Sequence, residues 1–198
     1  AEDWPRFRGA NGSGLAPGAN PPAEFGPGKN LAWKVAVPPG HSSPVVCGNH
    51  LYLTSFDSAS LRTHAFDTAT GKSLWLREVP RERAAKHHSL NNAASPTPAC
   101  DPSGVVVNFP DFGMISWGSD GKPQWKVPMP PATNVHGRAS SPVLSGGLVI
   151  QVNGADTGSE VLVCRRDTGK QVWIERLLGV TYSTPVVTPD AQVIVAST

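Results

Sequence analysis

The sequence predicts an all-β fold, a β-propeller built of four-stranded blades. The first observation behind this is a recurring turn. Asp167-Thr168-Gly169-Lys170-Gln171-Val172-Trp173 has an earlier copy at Asp67-Thr68-Ala69-Thr70-Gly71-Lys72-Ser73-Leu74-Trp75 and a worn one at Asp120-Gly121-Lys122-Pro123-Gln124-Trp125. A reduced form stands at Gly28-Lys29-Asn30-Leu31-Ala32-Trp33. Each reads as a strand end, a tight turn with Gly where φ must be positive, and a new strand with Trp at a set distance. The tryptophans are spaced 42, 50 and 48 residues apart. The second observation is a Ser/Thr-Pro marker at Ser43-Pro44, Ser95-Pro96, Ser141-Pro142 and Thr184-Pro185, spaced 52, 46 and 43. Two independent markers with one period of roughly 40 to 50 residues indicate a repeat, and about four short strands per unit make each repeat a propeller blade. The third is composition: 20 Gly and 20 Pro in 198 residues, with no sustained 3.6-residue apolar period, favour strands over helices.

Residues 1–29 form an irregular N-terminal segment rich in Gly, Pro, Asn and Ala, in which Trp4 and Phe7 are expected to pin the coil to the body of the protein. Residues 30–38 are a lone outer strand, of the kind that completes the last blade of a closed ring. The first blade, 41–80, carries strands at 43–47, 50–56, 61–66 and 73–79. The second, 92–130, carries them at 95–99, 105–109, 114–117 and 123–127. The third, 138–178, carries them at 141–144, 148–152, 160–164 and 171–176. An incomplete blade, 182–198, shows strands at 183–187 and 192–196. Only residues 81–86 invite a helical turn. Since closed propellers usually have four to eight blades, about three and a half blades read as a fragment of a ring of seven or eight. Open blade edges then predict self-association.

Formal net charge is +2 and the Lys and Arg are scattered, so nothing marks nucleic acid or an anionic membrane as a partner. No apolar run reaches the 18 or so residues of a transmembrane segment. The start Ala1-Glu2-Asp3-Trp4 reads as the mature end of an exported, periplasmic or extracellular protein, after removal of a signal peptide. Cys47, Cys100 and Cys164 are far apart and odd in number, and read as small buried hydrophobes.

In an up-and-down blade, the crossing into strand A and the loop between strands B and C share one face, and the Gly-Lys turns lie on the other. The crossings hold Gly40-His41, His87-His88 with Asn91-Asn92, Asn134-Val135-His136-Gly137-Arg138, and Tyr182; the B-to-C loops hold Asp57, Asp111 and Asp156. Topology thus gathers His41, His88, Asn92, Asp111, His136, Arg138 and Tyr182 as a candidate ligand-binding face. The same residue types also serve as loop formers that satisfy unpaired backbone groups. No catalytic residue is assigned, and a metal or hydrolytic site at His41, His88 and Asp111 is a further reading. Structural docking between blades falls to Trp33, Gly71, Trp75, Gly121, Trp125, Gly169 and Trp173, each Trp a wedge against its neighbour whose loss costs about 3 to 5 kcal/mol.

The repeated Asp-x-x-Thr-Gly-Lys-x-x-Trp pattern resembles the tryptophan-docking motif of the pyrroloquinoline quinone (PQQ) repeat propellers, from about residue 28 to the end. The start, Trp4-Pro5-Arg6-Phe7-Arg8-Gly9-Ala10-Asn11-Gly12-Ser13-Gly14, together with Gly40-His41-Ser42-Ser43-Pro44 and Asn91-Asn92-Ala93-Ala94-Ser95-Pro96-Thr97-Pro98, is similar to an exported subgroup of uncharacterised activity. The resemblance implies a module that holds a protein or polymer partner in the cell envelope without a cofactor, as does the outer-membrane assembly lipoprotein of this fold. The alternative it implies is a PQQ-dependent alcohol or sugar dehydrogenase. Such members use adjacent cysteines near the quinone, an Asp base, and Glu/Asn ligands to calcium; the cysteines here are not adjacent.

Overall fold

The structure, a computed structural model, describes residues 3–10, 12–86, 88–130 and 134–197. The expected His87 and Asn11 lie outside the described residues. Three antiparallel four-stranded sheets follow one another along the chain, each with its strands in sequence order, and a two-stranded sheet ends it. The first blade holds β1 (Val45–Cys47), β2 (His50–Phe56), β3 (Ser60–Asp67) and β4 (Ser73–Pro80). The second holds β5 (Ala99–Asp101), β6 (Gly104–Phe109), β7 (Gly113–Gly118) and β8 (Pro123–Pro128). The third holds β9 (Val143–Ser145), β10 (Leu148–Asn153), β11 (Ser159–Arg165) and β12 (Gln171–Leu177), and β13 (Val186–Val187) with β14 (Val193–Ile194) begins a fourth.

The middle strands agree with the sequence reading to within a residue or so. The innermost ones do not: the second starts at Ala99 rather than residue 95. The physical reason is visible in the hydrogen bonds that join the blades around the axis. The N–H of Ser43 donates to Thr97 Oγ1 (3.1 Å), that of Thr97 to Ser141 Oγ (2.9 Å), and that of Ser141 to Thr184 Oγ1 (3.2 Å). The marker of the second blade is therefore Thr97-Pro98, and Ser95-Pro96 belongs to the preceding turn, where Ser95 Oγ accepts from Asn92 N–H. A Pro after each marker removes a donor that this inner position has no ladder partner for.

Two further expectations change. Residues 31–38 form no strand and pair with no described residue, although Trp33 still packs on the first blade. Residues 81–86 contain no helix; they run extended, pinned by Arg81 and Arg83. Of the two anchors expected for the N-terminal segment, Trp4 holds it and Phe7 does not. Trp4 pairs with Val46 on the innermost strand, Pro5 accepts from Cys100 N–H, and buried Arg6 folds back on the Gly9 and Ala10 carbonyls, while Phe7 is left exposed.

Between blades the core is continuous. One apolar cluster runs from Tyr52 and Trp75 to Phe109 and Trp117, a second joins Met114 and Trp125 to Leu162 and Cys164. Cys47 and Cys100 form a disulfide between the first two blades, Cα–Cα 6.2 Å, which corrects the reading of all three cysteines as free hydrophobes; Cys164 is free and buried. Nothing in the local sequence marks the pair, because its proximity arises only when β1 and β5 come side by side around the axis.

Candidate functional site

The turns come first, because they fix how one blade sits on the next. The indole N–H of Trp33 donates to Thr68 O (2.9 Å), that of Trp75 to Ser119 O (2.8 Å) and that of Trp125 to Arg166 O (2.8 Å). Each ring lies flat against the turn glycine of the following blade. A Cβ on Gly71, Gly121 or Gly169 would stand 2.6, 2.8 or 2.7 Å from the Trp, and all three have φ near +70°. Trp173, in the same position on the third blade, is 40% exposed. Around these docks sits a polar clamp that the sequence did not announce: buried Arg166 reaches from the third blade to Asp101, Ser116 and Gln124 of the second. Burial pushes the Asp101 carboxyl up, but the bonds from Arg166 and Ser103 outweigh it and leave the pKa below the usual carboxylate range.

On the opposite face the long crossings bring some of the candidate residues together. The rings of His88 and His136 stand 5.8 Å apart, and His136 meets the edge of Tyr182 at 5.3 Å. Two bonds stitch the crossings beneath them, Asn91 Nδ2 to His136 O (2.6 Å) and His88 N–H to His136 O (3.4 Å). Tyr182 and His41 line an axial recess of about 430 Å³ with Phe7, Leu90 and Asn91. The result is an exposed histidine and tyrosine ladder flanked by the outward apolar side chains of Phe7, Leu90 and Val135.

Other candidates are elsewhere, and each is committed to holding a loop. Asp111 is fully buried at its side chain; Oδ2 accepts from Arg81 Nε at 2.5 Å and Oδ1 from Ala85 N–H at 2.7 Å. Arg83 completes that clamp through the Asp111 and Met129 carbonyls. Asn92 is buried, with Oδ1 capping Ala94 N–H. Asp57 receives Ala59 N–H, Ser60 N–H and Arg62, and these bonds hold its pKa down. Asp156 accepts from Val135 N–H. Arg138 lies in a separate recess beside Asn153 and Glu160. His41, His88 and Asp111 are thus not assembled into one site, and among the described residues no group of three His, Cys, Asp or Glu could hold a metal ion. Calcium asks for six to eight oxygen ligands, and Asp57, Asp111 and Asp156 each already accept bonds from the loops and crossings around them. Among the described residues these three carboxylates do not by themselves make a calcium site.

Comparison with known proteins places this geometry. A family model described as outer membrane protein assembly factor BamB matches residues 27–198. Among solved structures, BamB from Moraxella catarrhalis aligns at 15% identity and TM-score 0.53, over 86% of this chain and 56% of that one. A quinohemoprotein alcohol dehydrogenase from Comamonas testosteroni aligns at 16% identity and TM-score 0.60, over 77% of this chain and 28% of that one. A europium-containing methanol dehydrogenase aligns at 18% and 0.57, over 74% and 27%. The chain therefore spans between about a quarter and just over half of these structures, and at such identities the likeness is one of fold. No curated protein matches in sequence.

Proposed function

The chain belongs to the PQQ-like propeller family of the outer membrane protein assembly factor BamB, and from that premise we propose that it is a non-catalytic binding module of the cell envelope that holds a protein partner on its long-crossing face. The observation that carries this reading is how the polar residues of that face are used. The acids and Asn92 are spent on the loops, which makes the crossings rigid, and what is left exposed is His88, His136 and Tyr182 with Phe7, Leu90 and Val135 around them. Aromatic side chains with an apolar body and a polar tip, set among exposed aliphatic groups on a stiff support, suit a protein surface better than a buried small-molecule site. Export agrees with the Cys47–Cys100 disulfide, a bond that persists in oxidising compartments. Among the described residues no helix is long and apolar enough to cross a membrane.

The second reading, a quinone-dependent dehydrogenase, is favoured by the shared fold with the two alcohol-oxidising structures. In that case PQQ and calcium would supply the redox chemistry, and the His/Tyr ladder would be part of a substrate entrance. The committed carboxylates weigh against it.

Site-directed photo-crosslinking in the native envelope tests the proposal. A photoreactive residue at position 136 or 182 should trap one discrete protein species, while the same residue at position 122, on the turn face, should not. An identical pattern from both faces would overturn the assignment of the surface.

A further inference from the structure

The Ser/Thr-Pro marker has a structural role that uses only half of each side chain. Thr97 Oγ1, Ser141 Oγ and Thr184 Oγ1 each accept the backbone N–H of the marker residue one blade before, so Ser43, Thr97, Ser141 and Thr184 follow one another as a hydrogen-bonded arc around the axis. A hydroxyl also donates, and among the described residues none of these three O–H groups has an acceptor. Ser43 Oγ, at the head of the arc, bonds to none of them either. Polar groups removed from water are overwhelmingly partnered, yet here one unspent hydroxyl recurs with every blade.

All four hydroxyl residues line the axial recess of about 430 Å³, a volume within the range for small-molecule sites. Thr97 and Ser141 are buried, while Ser43 and Thr184, at the two ends of the arc, are only half-buried and within reach of a ligand. The rest of the lining adds polar groups that are also reachable. Asn91, half-buried, spends Nδ2 on His136 O and keeps Oδ1 unused among the described residues. His41 and Tyr182 are exposed, and neither the imidazole nor the phenol hydroxyl is hydrogen-bonded to a described residue. Phe7, Leu90 and the ring of Tyr182 supply exposed apolar surface to the same recess. Among the described residues that line it there is no Asp, Glu, Lys or Arg.

We propose that this recess binds a neutral sugar ring. Its hydroxyl edge exchanges hydrogen bonds with Ser43, Thr184 and Asn91, and its C–H face lies against the rings of Tyr182 and Phe7. Three properties of the lining select this chemistry. Hydroxyls donate and accept, so they are complemented by a ligand whose own groups do both. A recess without a charged lining residue has nothing to balance a desolvated ion, which excludes an anion or a cation as its ligand. The exposed aromatic and aliphatic surface gains from an apolar face, and a ring with hydroxyls on its edge and C–H groups on its face brings both at once.

The inference rests on the lining of the recess alone and not on the protein partner proposed above; its failure would leave the crosslinking result untouched. The full chain is titrated with the methyl glycosides of glucose, galactose and mannose, followed by ¹⁵N NMR shifts, with cyclohexanol, sulfate and N-acetyltyrosinamide as comparison probes. At least one glycoside should saturate, with shifts confined to the recess, and bind at least about tenfold tighter than cyclohexanol, since two neutral hydrogen bonds are together worth roughly that factor. Ser43→Ala removes an oxygen that bonds no described residue, and Tyr182→Ala an exposed ring, so both variants should melt like the parent. Ser43→Ala should weaken the glycoside by about threefold or more and Tyr182→Ala by about tenfold, while Tyr182→Phe, which keeps the ring, should lose far less. No saturation with any glycoside, equal or tighter binding of cyclohexanol or sulfate, or glycoside binding unchanged in both alanine variants would each overturn the proposal. Tighter binding of N-acetyltyrosinamide would overturn it too, and would assign the recess to a side chain of a protein partner.

Discussion

At the scale of single residues, what separates a binding side chain from a structural one here is whether its polar atoms are already used. Asp111 illustrates this. From sequence it sits in phase with Asp57 and Asp156 at a B-to-C loop, and looks as available as either. In the fold both of its oxygens are engaged, by Arg81 and by Ala85 N–H, within a fully buried environment. Asp111→Asn should therefore act on stability: removing one member of a buried pair leaves the other charge uncompensated, a cost of about 3 to 5 kcal/mol. Urea unfolding of the variant measures it, and a stability within about 0.5 kcal/mol of the parent would mean that the carboxylate is free for a ligand. The juxtaposition of His136 and Tyr182 on the crossing face, by contrast, follows from their place in the crossings alone, since position on a propeller face is fixed by topology whatever the side chain bonds to.

At the scale of the element, the repeating unit is a strand, a turn and a docking tryptophan, and the dock is made between repeats rather than within one. That is why the period of the Trp and Gly residues was legible: each blade must carry both the wedge for one neighbour and the glycine that receives the wedge of the other. Gly169 tests the point. It has φ +68° and no room for a Cβ against Trp125, so Gly169→Ala has to strain the backbone and push the indole from its bond to Arg166 O. A loss of about 2 to 4 kcal/mol is expected from thermal or denaturant unfolding, against only about 1 kcal/mol for Gly48→Ala, whose positive φ strains it but whose Cβ meets nothing. Equal losses at the two positions would show that φ alone sets the requirement and that the Trp contact contributes nothing. What stayed hidden at this scale was the second marker's register. Ser95-Pro96 and Thr97-Pro98 are equivalent as a pattern, and only the axial bonds, from Ser43 N–H to Thr97 Oγ1 and from Thr97 N–H to Ser141 Oγ, decide between them.

At the scale of the whole molecule, the consequences come from parts of the chain that are far apart in sequence. The Cys47–Cys100 bond, the Arg166 clamp and the seating of residues 3–6 along the inner strands all join segments separated by tens of residues. No local pattern encodes them, which is why the sequence reading placed Phe7 where Arg6 belongs and left the cysteines unpaired. Together they tie successive blades to one another and leave a polar-aromatic face on the crossings, which we propose holds a partner rather than a calcium–quinone centre. The most direct measurement on this claim is a titration of the protein with PQQ in the presence of calcium, following quenching of tryptophan emission against a control with excess EDTA. A binding module of the envelope should give no saturable, calcium-dependent quenching. Saturation near one equivalent, abolished by EDTA, would contradict the account and identify the crossing face as the approach to a quinone.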